Sequence, residues 1–173
     1  MRTPLVVLLS AAAAVTLVAC HDVPTAPNAV TLQLDRDTYV AIPIDTLGSY
    51  AFRLVVQYHN GTTEPIYFAR CTPSQASPVY SVPTADGVSQ SGYNVQWACT
   101  NAPSLEFLPG ATRTDSLLIW GPTAYDGITH QVLGVLSGWF RLDYRTLHCA
   151  EDTPACAQAG PRVASAPFLV RLP

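Results

Sequence analysis

After residue 30, apolar and polar side chains alternate along most of the chain. Val30, Leu32 and Leu34 share one face while Thr31, Gln33 and Asp35 take the other, the period of a half-buried strand. The longest such run is Tyr50 to Tyr58, which predicts a core face of Tyr50, Phe52, Leu54, Val56 and Tyr58. It ends at His59-Asn60-Gly61, a turn signal because Asn and Gly both tolerate positive φ, so Ile66 to Arg70 is expected as the return strand. Thr112 to Trp120 alternates in the same way, with Leu117 and Ile119 expected inside and Leu118 and Trp120 opposite. Shorter strands are expected at Thr38 to Ile44, Val79 to Val82, Tyr93 to Ala98, Leu105 to Leu108, Trp139 to Tyr144 and Phe168 to Leu172. Pro43 marks an edge or bend in the first of these. Val132 to Leu136 reads equally as a strand or one helical turn. No apolar stripe of helical period and helix length occurs after residue 30, so the pattern predicts an all-β sandwich or barrel.

The start of the chain has another pattern. Arg2 is followed by an apolar run from Leu5 to Val18, then Ala19 and Cys20. A positive charge, a short apolar stretch and small residues make a secretory signal peptide. A spanning helix needs about 20 apolar residues, and this run stops at Cys20, His21 and Asp22. Leu17-Val18-Ala19-Cys20 resembles the bacterial lipobox, which implies cleavage before Cys20 and acylation of its thiol and amine. The expected organisation is then a signal peptide (1–19), a lipidated tether (20–29) and one β domain (30–173). The nine residues Cys20 to Asn28 reach at most about 30 Å, so the domain is expected close to the bilayer that holds it. His21 rather than Asp follows Cys20, which points to the outer of two membranes.

Composition narrows the rest. Removing 19 of 173 residues leaves 154, enough for one domain, and 49% apolar against 12% charged residues make that domain globular. All nine basic side chains are arginine; loss of Arg2 leaves eight against 12 acids, a net charge of −4. That mild acidic excess gives no footprint for nucleic acid. Besides Cys20, the four cysteines Cys71, Cys99, Cys149 and Cys156 suggest two disulfides in an exported chain. Three pairings are open. Cys71–Cys99 and Cys149–Cys156 are favoured because the first pair ends two strand-like runs and the second closes a loop at Pro154.

Candidate chemistry is sparse. His59 is expected in a turn, His130 and His148 are scattered, His21 lies in the tether, and no Gly-x-Ser-x-Gly elbow occurs. Ser137-Gly138 reads as the start of a strand. His148, Cys149, Glu151, Asp152 and Cys156 are dense in ligand types, but their cysteine spacing is too wide for a zinc pair, so no metal is assigned. Asp35-Arg36-Asp37 supplies too few oxygens for calcium and reads as a solvated strand end. Trp120 and Tyr125 are either an aromatic binding surface or a cover over the open end of the fold. No cofactor is called for.

Several short motifs carry a family likeness. Asn60-Gly61-Thr62, Ile66 to Cys71, Leu108-Pro109-Gly110, Gly138 to Leu142 and Phe168-Leu169-Val170 resemble immunoglobulin-like sandwich domains of bacterial lipoproteins and of the intracellular proteinase inhibitor (BsuPI) type. Ser137 to Leu142 is similar to the motif Ser-Gly-x-Tyr-x-Cys, with Phe140 and Leu142 at its last two defined places. The resemblance implies an immunoglobulin-like antiparallel β-sandwich of about 7–9 strands. It also implies a non-enzymatic binding or structural role in the cell envelope, with membrane lipid and an envelope protein as partners. The alternative it implies is proteinase inhibition through an extended loop such as Ser81 to Ser91.

Overall fold

The computed structural model describes residues 29–46, 48–93, 99, 102–123, 133–147, 149 and 159–173. Among them there is no helix, and the chain runs through β1 (Val30–Leu34), β2 (Thr38–Val40), β3 (Ile42–Pro43), β4 (Tyr50–Asn60), β5 (Ile66–Phe68) and β6 (Tyr80–Ser81). It continues through β7 (Leu105–Phe107), β8 (Thr112–Gly121), β9 (Gly138–Phe140), β10 (Asp143–Leu147), β11 (Ala159–Ala164) and β12 (Phe168–Arg171). The result is an antiparallel β-sandwich.

The first sheet is built on β4. It pairs antiparallel with β8 over its whole length, from Tyr50↔Gly121 to His59↔Thr112. Along its other edge lie β1, from Val30↔Asn60 to Leu34↔Val56, and the short β3, with Ile42 opposite Ala51. The second sheet runs β11-β10-β5-β7, and β6 also pairs with β10. Strands β9 and β12 extend it past a break, joined by a hydrogen bond from Ser165 N–H to the Leu142 carbonyl (2.9 Å). Phe140, Leu142, Tyr144 and Thr146 keep one inward face across that break. On the return, the inward set steps from Val163 and Ser165 to Phe168 and Val170. The extra residue makes a bulge at Ala166-Pro167. Strand β2 lies parallel to β12, so the chain crosses between the sheets at Ala41 and closes one side of the sandwich.

Among the described residues twelve strands stand where about 7–9 were expected. The difference comes from crossings and breaks: Thr38 to Ile44 serves two sheets in turn, and Trp139 to Tyr144 is cut at Arg141-Leu142. The expected hairpin after His59-Asn60-Gly61 is not made. Strand β5 pairs with β7 and β10, in the opposite sheet from β4. Asn60 is buried and its side chain ties the crossing together: Nδ2 donates to the carbonyls of Glu64 (3.0 Å) and Phe107 (2.9 Å), and Oδ1 accepts from Thr62 N–H (3.0 Å). Gly61 passes so close to Ala29 that an added Cβ would lie 2.8 Å from its carbonyl oxygen. Strand β11 was not expected at all, since Ala159-Gly160-Pro161 offers neither alternation nor a full set of donors. The Tyr93 to Ala98 strand lies outside the described residues except for Tyr93, which is in a turn.

The interior holds two aromatic groups. At the Tyr50 end of β4, Tyr39, Phe52, Tyr93, Phe140 and Phe168 meet edge-on or tilted, with centroids 5.3 Å apart for Phe52–Tyr93 and for Tyr93–Phe140. At the Asn60 end, Tyr58, Phe68, Phe107, Tyr80 and Tyr144 do the same, Tyr58 and Tyr144 being 5.1 Å apart. Leu54, Val56, Leu117 and Ile119 fill the space between, and Phe52, Leu54, Val56, Leu117 and Ile119 are all buried, as the alternation predicts.

Candidate functional site

The outward positions of the first sheet make its most unusual surface. Antiparallel partners share a face, so the register sets Ile42, Ala51 and Trp120 in one row across β3, β4 and β8. Leu118, opposite Arg53, lies in the next row. Ile42 is 59% exposed, Leu118 55% and Trp120 45%, and Val40 and Ile44 on either side of Ile42 are also exposed. Trp120 therefore stands on the sheet's outer face and does not cover the open end of the sandwich; Tyr125 lies outside the described residues. Strands β4 and β8 contribute five outward positions each, from Ala51 to His59 and from Thr112 to Trp120, and these include one arginine and no carboxylate. That arginine, Arg53, donates to the Ser116 hydroxyl (3.1 Å).

The second sheet is different outside. Asp143 and Arg162 form an ion pair (3.5 Å), Arg145 sits opposite Arg162, and the Tyr67 hydroxyl donates to Glu106 Oε1 (3.3 Å). Glu106 beside it, after burial, raises the Tyr67 phenol. A cleft of about 630 Å³ opens where β1 and β11 meet, lined by Val30, Thr62, Glu64, Ile66, Leu147 and Arg162 among others.

Inside, the Tyr58 and Tyr144 hydroxyls hydrogen-bond to each other. Beside them Arg113 Nε donates to Asp115 Oδ1 (2.9 Å), and Asp115 Oδ2 is buried with no hydrogen bond of good geometry. Burial first, then Tyr144 and the Asp115 carboxylate, push the Tyr58 phenol far above the ordinary range. Burial also raises Tyr144, although the hydrogen bond from Tyr58 offsets part of it. This network contains no nucleophile with a base; its two phenols are buried in the core, while Arg113 reaches the surface.

The remaining sequence candidates are dispersed. His59 belongs to β4 and not to a turn, because the strand runs on to Asn60; its Nδ1 shares a hydrogen bond with the Thr112 hydroxyl (3.2 Å). Asp35 is a clasp. It accepts from Val55 N–H (3.0 Å), the Tyr39 hydroxyl (2.8 Å) and Arg36 (2.8 Å). Burial alone would raise its carboxyl, but those donors outweigh it and hold it low. Ser137 is exposed and Gly138 opens β9.

Cys71 and Cys99 stand as a disulfide with Cα atoms 4.1 Å apart. Cys149 is also disulfide-bonded. Its expected partner Cys156 lies outside the described residues, as do Cys20, His21, His130, His148, Glu151 and Asp152. Among the described residues no three His, Cys, Asp or Glu side chains gather as a metal site.

The segment expected as an extended loop, Ser81 to Ser91, closes as a turn. Asp86 accepts from the N–H groups of Val88 (3.0 Å) and Ser89 (3.1 Å) and from the Ser89 hydroxyl (2.8 Å). The Thr84 side chain, with those donors, depresses the Asp86 carboxyl strongly. Val88 is left 90% exposed at the tip.

Sequence reasoning placed Leu118 and Trp120 opposite the core face of β8. It missed that β3 would add Ile42 to the same row. The alternation of Val40, Ile42 and Ile44 was the available signal. Compared with known proteins, the chain matches no family model, and no curated protein matches it.

Proposed function

We propose that this is a lipid-anchored protein of the bacterial cell envelope that acts as a non-enzymatic binding or structural module. The observation that carries the reading is the exposed apolar surface of Ile42 and Trp120, flanking the buried Ala51, with Leu118 beside it. The anchor comes from Leu17-Val18-Ala19-Cys20, and a chain carrying more than one acyl group is held stably. Cys20→Ser should leave an uncleaved precursor or a released, unlipidated product. If that variant still enters the detergent phase at the mature size, the anchor reading fails. Crosslinked pull-down from native envelope, read by mass spectrometry, tests for a protein partner.

Proteinase inhibition is a second reading, favoured by Val88 at the tip of a turn pinned by Asp86. A panel of serine, cysteine and metalloproteases tests it. Failure to inhibit any of them removes this reading and leaves the first intact.

A further inference from the structure

We propose that the outer face of the first sheet lies on the surface of the bilayer that holds Cys20, with Trp120, Ile42 and Leu118 at the level of the lipid headgroups. This rests on the lipid-anchor reading above and adds an orientation and a second membrane contact to it.

Four observations carry it. Ile42 and Trp120 stand exposed on either side of the buried Ala51, with Leu118 exposed in the next row, and the largest of them is a tryptophan, whose amphipathic ring favours the membrane interface. The outward positions of β4 and β8 carry Arg53 and no carboxylate, and Asp35, opposite Val55 at the β1 edge of the same face, is paired with Arg36. Anionic headgroups would therefore meet no unpaired carboxylate along these two strands. The opposite sheet turns Glu106, Asp143, Arg145 and Arg162 outward, charges suited to water, with the exposed Trp139 on β9.

The fourth observation is where the tether joins. Strand β1 belongs to the same sheet and begins at Val30, opposite Asn60, so the tether arrives at one end of β4 and the row crosses at Ala51 near the other. Nine residue steps along β4 separate Ala51 from Asn60, about 30 Å along the strand. A domain standing on its tethered end would hold the row far from the lipid. Laid on the first sheet, it brings tether and row to the bilayer together. The nine residues from Cys20 to Asn28 keep the domain within about 30 Å of the surface in any case. At the resulting high local concentration even a weak interfacial affinity is occupied.

The test uses the full mature chain, acylated at Cys20, in vesicles of phosphatidylethanolamine and phosphatidylglycerol with brominated acyl chains. Tryptophan emission should be quenched relative to unbrominated vesicles. Trp120→Tyr should remove most of the quenched part, whereas Trp139→Tyr, on the second sheet, should leave it. Leu118→Ser, whose side chain packs nothing inside, should reduce quenching with an unchanged melting midpoint.

Quenching that is absent, or that survives Trp120→Tyr, overturns the proposal. So does hydroxyl-radical footprinting that finds Trp120 shielded in native envelope but open in the vesicles, because a protein then covers the row. Purified chain with no acyl mass on Cys20 removes the premise as well. Acylated chain without quenching overturns only the orientation.

Discussion

The two aromatic groups of the interior use the same side chains in opposite ways. At the Tyr50 end of β4, the tyrosines send their hydroxyls outward to single acceptors, Tyr39 to Asp35 (2.8 Å) and Tyr93 to the Leu136 carbonyl (2.6 Å). The rings that remain inside, Phe52, Phe140 and Phe168, are purely apolar. At the Asn60 end, Tyr58 and Tyr144 turn their hydroxyls toward each other in the core, next to the Arg113–Asp115 pair. The first arrangement depends on packing. The second depends on two polar groups satisfying each other, so a change to one partner acts on both.

The largest expected effect is in the packed group. Phe140 is fully buried between Tyr93 and Phe168, and Phe140→Ala should cost about 3–5 kcal/mol in a urea melt, lowering the midpoint sharply. A loss no greater than that of a hydroxyl deletion at the other end would break the comparison.

A middle-sized effect is expected at the hydrogen-bonded pair. Tyr58→Phe should cost about 1–3 kcal/mol because it strands the Tyr144 hydroxyl in the core. Adding Tyr144→Phe removes the stranded group, so the double variant should be more stable than the sum of the single losses implies. Strict additivity would show that the two hydroxyls do not act as a unit.

The smallest effect concerns alkaline pH. An unfolded tyrosine releases its proton near pH 10, while burial holds Tyr58 and Tyr144 protonated well above that. The contribution of these raised groups is fully present below about pH 10 and is lost as pH rises toward their folded values, because the unfolded chain then binds fewer protons. Melting midpoints should fall from about pH 9 to pH 11. The Tyr58→Phe, Tyr144→Phe double variant should show a shallower fall, with the part due to Tyr39 and Tyr93 remaining.

The strands that were legible in the sequence are those whose two faces see different surroundings. Tyr50 to Tyr58 and Thr112 to Trp120 alternate because one side of the first sheet is core and the other is not, so Phe52, Leu54, Leu117 and Ile119 could be placed in advance. Partners were harder. Asn60-Gly61 has the composition of a hairpin, but a buried amide bonding to Phe107 and Glu64 sends the chain to the other sheet, a contact 47 residues away that local pattern does not carry. Strand β11 was invisible for a related reason. Its pairing with β10 is set by Tyr144↔Val163 and Arg145↔Arg162, and its own Gly160-Pro161 argues against a strand. The outer row was half legible: β8 announced Leu118 and Trp120, while Ile42 joined them only through the crossing at Ala41.

The crossing at Asn60 also bears on how the protein ages. An asparagine followed by glycine is chemically fragile, because the glycine nitrogen readily attacks the side-chain carbonyl and expels ammonia, leaving an acid. Here folding withholds both reactants: Gly61 N–H is committed to the Ala29 carbonyl (3.0 Å), and the Asn60 amide is held at both ends by Phe107 and Thr62. Were the conversion to occur, an oxygen would replace the donor that faces two backbone carbonyls, and the tie between the sheets would become a repulsion. The same fold that depends on this amide therefore preserves it, and the interval of greatest exposure is the one between synthesis and folding.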